Sequence, residues 1–245
     1  NIISLAAGFV DNETLPVEMT RNAVADMLAE SPAPLQYGTN QGDPELREML
    51  RSESIAQDNA AAQTHQACQT QLEQVLITPG SNQLLYMVAD ILLDPGDIVI
   101  CAAPSYFVFM GAVKNVGGRT LGVAIDHQGM LPDALEAALQ RLEDQGELHQ
   151  VKAIYTIPYY DNPTGTSLSN ERRQRMLEIA RKWSKYHKIY IISDEAYRLL
   201  RYQGEDIPSM HHWDPQLEHS IITSTFSKSY SPGIRVGWGY LPNEL

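Results

Sequence analysis

Four short stretches of this 245-residue chain hold residue types and spacings that chemistry would need. The run Ser224-Thr225-Phe226-Ser227-Lys228-Ser229-Tyr230-Ser231-Pro232-Gly233-Ile234-Arg235 sets hydroxyls, one lysine and one arginine just beyond an apolar, strand-like segment. An anion would find Thr225, Ser227 and Arg235 convergent there. Lys228, partly withdrawn from water beside strand ends, is the residue type that forms a Schiff base; a surface lysine in a serine-rich loop is the plainer alternative. Thr78-Pro79-Gly80-Ser81-Asn82 places a permissive glycine before a helix, whose free N–H groups and dipole favour an anion. The same residues also read as an ordinary helix cap. Asp194, in Ser193-Asp194-Glu195-Ala196-Tyr197, ends an apolar strand, where a carboxylate is costly unless paired with a cation. A protonated ring nitrogen would be such a partner, and Tyr197 could turn its hydroxyl to the same ligand; an Asp that caps the next turn is the alternative. In Tyr159-Tyr160-Asp161-Asn162-Pro163-Thr164-Gly165, a turn follows a strand, Asn162 can donate to a ligand oxygen, and the bond to Pro163 is a candidate for the cis form.

Each signal alone is weak to moderate. Together they supply an anion site, a Schiff-base lysine, a carboxylate for a ring nitrogen and two donors for a ring oxygen, which are the parts that pyridoxal 5'-phosphate requires.

These loops must be held by a scaffold, and hydrophobic periodicity outlines one. Seven strands are expected: Val75–Thr78, Ile98–Ala102, Arg119–Ala124, Lys152–Ile157, Ile189–Ser193, Ser220–Ser224 and Arg235–Tyr240. Helical patterns at Ser81–Leu93, Ser105–Val116, Leu131–Gln145 and Ser169–His187 alternate with them. That order predicts an α/β fold with helices on both faces of a mostly parallel sheet. Only about ten residues join the last two strands, too few for a parallel crossover, so the last strand is expected to run antiparallel. In such sheets ligands bind beyond the carboxyl ends of the strands, where the four stretches fall. Residues 1–50 read as an N-terminal segment and the start of the large domain, with Asp43 and Pro44 opening a helix; 51–245 read as the rest of that domain. The Ala- and Gln-rich stretch 52–71 reads as a surface insertion, helical or irregular.

Composition narrows the class. Eighteen Lys and Arg against 30 Asp and Glu give a net charge of −12, which argues against a nucleic-acid binder. The basic cluster from Arg172 to Lys188 is read as a solvated helix face. Two cysteines, Cys68 and Cys101, make neither a disulfide framework nor a metal site and suit a reducing, cytoplasmic setting. Cys101 is expected in the core. The longest apolar region, Leu84 to Ala103, is interrupted by Asp90, Asp94 and Asp97, so no membrane span is expected. His211 and His212, with Trp213, read as a surface loop without further metal ligands at useful spacing. The start without Met and the end just after a strand-like run read as those of a piece of a longer protein.

With Ser-Lys-Ser-Tyr-Ser-Pro-Gly-Ile-Arg-Val-Gly-Trp, Asp194-Glu195-Ala196-Tyr197 and Asn162-Pro163-Thr164-Gly165 in this order, and a Lys-to-Arg spacing of seven, the chain resembles the fold-type I, class I/II pyridoxal-phosphate aminotransferases. The likeness is greatest to the branch with 2-aminoadipate, kynurenine and aromatic amino-acid aminotransferases. It runs from about Ile3 to the end. The resemblance implies that Lys228 holds the cofactor and moves the substrate proton, and that Asp194 pairs with the pyridinium nitrogen. It also implies that Asn162 and Tyr197 bond the phenolic oxygen, and that Gly80, Ser81, Asn82, Thr225, Ser227 and Arg235 form the phosphate site. Tyr106 resembles the aromatic that stacks on the ring, and Tyr37 a tyrosine that reaches the phosphate of the other subunit of a homodimer. Gly8 resembles a loop near the substrate carboxylate, although Phe9-Val10 replaces the usual Gly-x-Pro there, and Asn82 stands where the branch often has Gln. The C-terminal small domain, with its carboxylate-gripping arginine, would follow Leu245, so none of the arginines here takes that role. The implied activity moves an amino group from an L-amino acid to a 2-oxo acid. A β-lyase or other Cα-chemistry enzyme, and an aminotransferase-like sensor domain of a transcription regulator, are alternatives on the same scaffold.

Overall fold

The computed structural model describes residues 8–65 and 69–245. Its eight strands are β1 (Val75–Thr78), β2 (Ile98–Ala103), β3 (Arg119–Asp126), β4 (Gly129–Met130), β5 (Val151–Thr156), β6 (Tyr190–Asp194), β7 (Ser220–Thr225) and β8 (Gly237–Tyr240). They form one sheet in the order β1-β8-β7-β6-β5-β2-β3-β4. β3, β2, β5, β6 and β7 are mutually parallel. β8 runs antiparallel to both β7 and β1, as the short connection requires. The eighth strand was not expected. β4 is a two-residue return of β3 across a tight turn, in which the Gln128 N–H donates to Asp126 Oδ1 at 2.7 Å, and two residues carry no periodic signal.

Among the described residues there are seven α-helices, α1 (Val17–Glu30), α2 (Pro44–Ala62), α3 (Ser81–Leu92), α4 (Phe107–Asn115), α5 (Pro132–Asp144), α6 (Asn170–Trp183) and α7 (Met210–Trp213), of which α2 to α7 pack against the sheet. Strand alternation divides the core in two. Ile100, Ile154, Ile191 and Ile222 face α5, α6 and the Leu50 side of α2. Val99, Ala153, Ile192 and Ile221 face α3 and α4 through Leu84, Val88 and Phe109. Both faces of β5 and β6 are thus covered, which is why they read as continuous apolar runs. Cys101 is buried on the second face, and burial pushes its thiol up to about 11. Cys68 lies outside the described residues. Among the described residues no helix is long and apolar enough to cross a membrane.

Three expectations change. Residues 52–62 form the second half of α2, and the stretch is not confined to the surface: Asp58 within it is buried in an ion pair with Arg198 at 2.7 Å. The helix carrying the basic cluster is not solvated throughout. Arg173 is fully buried, donates to the carbonyls of Leu168, Pro208 and Pro158 at 3.0, 2.8 and 2.7 Å, and lies over the Tyr159 ring. A planar guanidinium whose N–H fork finds three carbonyls can be buried where an ammonium could not. His211 is also buried: its ring stacks on Tyr240 and its Nε2 pairs with the Thr70 hydroxyl, so α7 is packed inward rather than forming a surface loop.

Candidate functional site

A cleft of about 490 Å³ opens at the carboxyl ends of the parallel strands. β1 delivers the chain to Gly80, whose φ of +86° lets it turn directly into α3 with Ser81 as the first helical residue. The turn is held by Thr78 Oγ1, which donates to the Gly80 carbonyl at 3.0 Å. A side chain on Gly80 would also displace Arg235, because its Cβ would lie 2.3 Å from the guanidinium. That guanidinium donates to the carbonyls of Pro79 at 3.2 Å and Pro232 at 3.0 Å, so it is moored across the N-terminus of α3. Positive charge and free helix N–H groups are thereby brought together.

β7 ends in Thr225, and its hydroxyl and Ser227 close a tight turn: Thr225 Oγ1 donates to Ser227 Oγ at 2.9 Å, and the Ser227 N–H donates back to Thr225 Oγ1 at 3.1 Å. The turn presents Lys228 to the cleft, with its Nζ 5.7 Å from the centre of the Tyr197 ring. Lys228 is exposed here, rather than partly withdrawn from water as expected.

β6 ends in Asp194, which is 5% exposed at the cleft floor. Tyr155 Oη donates to its Oδ2 at 3.0 Å, and Thr223 Oγ1 and the Ala196 N–H lie at 3.4 Å from Oδ1. All these donors are neutral. Burial therefore prevails and pushes the carboxyl up to about 6, with the hydrogen bonds and the Lys228 charge opposing it. Burial and the adjacent Asp194 carboxylate push the Tyr155 phenol well above its ordinary value, so it remains a donor.

On the far wall, Asn162 follows β5 through a cis bond to Pro163, and its Nδ2 donates to Tyr197 Oη at 3.3 Å. Burial raises the Tyr197 phenol, opposed by that hydrogen bond. Tyr106 precedes α4, is half-buried, and reaches Asn82 Oδ1 with its hydroxyl at 3.5 Å. Gly8 lines the mouth. The structure therefore gathers Gly8, Ser81, Asn82, Tyr106, Asn162, Asp194, Tyr197, Thr225, Ser227, Lys228 and Arg235 around one cleft, with Gly80 directly behind Arg235. Tyr37 stands apart and is 98% exposed.

The family model for aminotransferase class I and II matches residues 1–245. The chain belongs to this family. Aromatic-amino-acid aminotransferase 1 of Thermococcus litoralis is 35% identical over 239 residues, 97% of this chain and 54% of the relative. The crystal structure of an archaeal alanine:glyoxylate aminotransferase matches with a TM-score of 0.88 and 35% identity, covering 100% of this chain and 56% of that one. Pyrococcus horikoshii kynurenine aminotransferase, in complex with PMP, KYN and KYA, matches with a TM-score of 0.85 and 32% identity over 97% of this chain and 55% of that one. This chain spans about half the length of the curated relatives it matches.

In this class I and II aminotransferase chain, sequence reasoning missed the residues that work from behind. Tyr155 and Thr223 hold Asp194, and a tyrosine inside an aliphatic buried strand is a signal in itself, because its hydroxyl needs a partner. Gly237 was read only as part of the motif. A Cβ there would lie 2.3 Å from the Ser81 nitrogen and 2.4 Å from the Gly80 carbonyl carbon, so β8 can pass behind the helix N-terminus only as glycine.

Proposed function

We propose that the protein is a pyridoxal-phosphate-dependent aminotransferase that moves an amino group from an L-amino acid to a 2-oxo acid. The observation that carries this reading is the meeting, in one cleft, of an exposed lysine, a buried carboxyl held only by neutral hydrogen-bond donors and a cationic helix N-terminus. Those three features fit the cofactor from three sides. Asp194 has only neutral donors, so a protonated ring nitrogen is the partner that its burial calls for. The side-chain-free notch at Gly80, closed by Arg235, fits a phosphate.

Pyridoxal phosphate, when bound, supplies an electron sink for the bond that breaks at the substrate Cα. Ser81, Asn82, Thr225, Ser227 and Arg235 would hold its phosphate, with Gly80 leaving room for the approach. Asp194 would keep the proton on its ring nitrogen, while Tyr155 and Thr223 fix the carboxylate. Asn162 and Tyr197 would donate to its ring oxygen, and Tyr106 would cover the ring and exclude water. Lys228 would hold it covalently; once the substrate amine has displaced its Nζ, that nitrogen would take up the proton from the substrate Cα and release it to the cofactor. Gly8 would border the substrate carboxylate.

Tyr37 and the apolar residues exposed along α1 support a homodimer in which Tyr37 reaches the partner's phosphate site. The low cysteine count suits a cytoplasmic setting. The deciding experiment is borohydride reduction of the natural-length protein loaded with pyridoxal phosphate, followed by peptide mapping. The label is expected on Lys228. Cofactor bound with no label there would overturn the assignment of Lys228.

A further inference from the structure

Behind the cleft, on the opposite face of the sheet, lies a second cavity of about 90 Å³ between α2 and the ends of β6, β7 and β8. Strand alternation makes the two back to back. Asp194, Thr223 and Thr225 belong to the cleft side, whereas Glu195, Ile222, Ser224 and Phe226 line the second cavity. Across the way, Trp238 and Tyr240 of β8 complete an aromatic and aliphatic wall with Leu50 of α2, and the Phe226 and Trp238 rings pack at 4.6 Å. This space has room for roughly six water-sized groups, so it suits a short organic chain.

Its charges select the ligand. Glu195 is 6% exposed and forms no ion pair among the described residues; Ser193 Oγ donates to one of its oxygens at 3.0 Å. The nearby Arg198 pairs through its two terminal nitrogens with Asp58 at 2.7 Å and Asp206 at 3.1 Å, and its buried Nε has no hydrogen-bond partner among the described residues. Glu53 adds a further carboxylate on the α2 side. Carboxylates therefore outnumber the one cation lining this cavity, which repels an anion, and Glu195 feels Arg198 and Arg173 through space without an ion-pair contact among the described residues. Burial pushes Glu195 up to about 7, against the pull of Arg198, which is the cost that a cation would relieve. Aromatic walls favour a cation as well.

We propose that this cavity is a second binding site, for a small primary ammonium with a short apolar chain, whose charge rests on Glu195 and whose chain packs on Ile222, Phe226 and Trp238. The occupant would touch the immediate chain neighbours of Asp194 and Thr225, and so sits where it can bear on the cleft without entering it.

The test is calorimetric titration of the natural-length protein with butylammonium, after treatment with borohydride to stop any amine from reacting in the cleft. Saturable binding is expected, at least tenfold tighter than that of butan-1-ol or butyrate. Glu195→Gln is expected to weaken it at least tenfold. Leu199→Trp, at an exposed residue on the cavity rim, is expected to block it while leaving the fold intact. Equal binding of butan-1-ol would mean an apolar hole with no cation site. Binding unchanged in both variants would place the ammonium elsewhere. Either result, or no binding, overturns the proposal.

Discussion

Asp194 carries a conflict that its residue type makes measurable. Its folded value of about 6 stands above the 3.8 of the free side chain, so the folded, cofactor-free protein holds that proton more tightly than the unfolded chain does. Stability from this group is therefore greatest below pH 4, falls as pH climbs from about 4 to 6, and stays reduced above that window. Asp194→Asn removes the ionisation while keeping an acceptor for Tyr155. It is expected to stabilise the cofactor-free protein by about 2–3 kcal/mol at pH 7 and by nearly nothing at pH 3.5. Urea unfolding at the two pH values checks this, and equal effects at both would refute the burial argument. The same substitution is expected to lower transamination at least a hundredfold, since an amide cannot hold a proton on a ring nitrogen. A site that loses stability to gain function is what the geometry at this residue describes.

At the scale of elements, the phosphate site is a packing problem solved by two glycines. Gly80 gives the turn its positive φ and leaves space for Arg235; Gly237 lets β8 pass against the backbone of that turn. Gly237→Ala forces backbone atoms apart and is expected to cost about 1–3 kcal/mol of stability. It is also expected to weaken cofactor binding at least tenfold, although no ligand-facing side chain changes. Gly80→Ala puts a Cβ on a φ of +86° and displaces the Arg235 guanidinium itself, so a stability loss of about 1–3 kcal/mol is expected together with a larger loss of affinity. Thermal unfolding and cofactor titration of both variants separate the two effects, and a Gly237→Ala protein with ordinary affinity would refute the account. This scale also shows what the sequence made legible. Strands, their alternation with helices and the antiparallel last strand follow from periodicity and loop length, because these are local. Motif loops that follow strands point to the cleft for the same reason. Asp58 with Arg198, Arg173 with the carbonyls of Pro158 and Pro208, and Tyr155 with Asp194 join residues 15 to 140 positions apart, and no periodicity encodes such pairs. They account for the readings that changed at the second half of α2 and the basic helix, as the contacts of His211 with Thr70 and Tyr240 do for α7.

For the whole molecule, the unexplained surface lies at the N-terminal end. α1 buries none of its residues, while Val17, Met19 and Val24 are exposed along it, and Leu35 and Tyr37 stand open just beyond. Such a patch on a chain of net charge −12 calls for cover, and a symmetric dimer would cover it twice with one surface. In that arrangement Tyr37 serves the partner's site, whereas Lys228 serves its own. Subunits carrying Tyr37→Ala and subunits carrying Lys228→Ala would then be defective for different reasons, and a mixed dimer would hold one site in which both residues are native. Random exchange of equal amounts gives half mixed dimers, each with one intact site of two, so activity is expected to recover to about a quarter of the native level. The measurement is transaminase activity before and after unfolding and refolding the two variants together. Recovery would exceed what the Tyr37→Ala protein shows alone at half its concentration, because the gain comes from sites that neither parent possesses. If the refolded mixture only averages its parents, Tyr37 does not act across an interface, and the exposed face of α1 must be covered by something other than a second copy of the same surface.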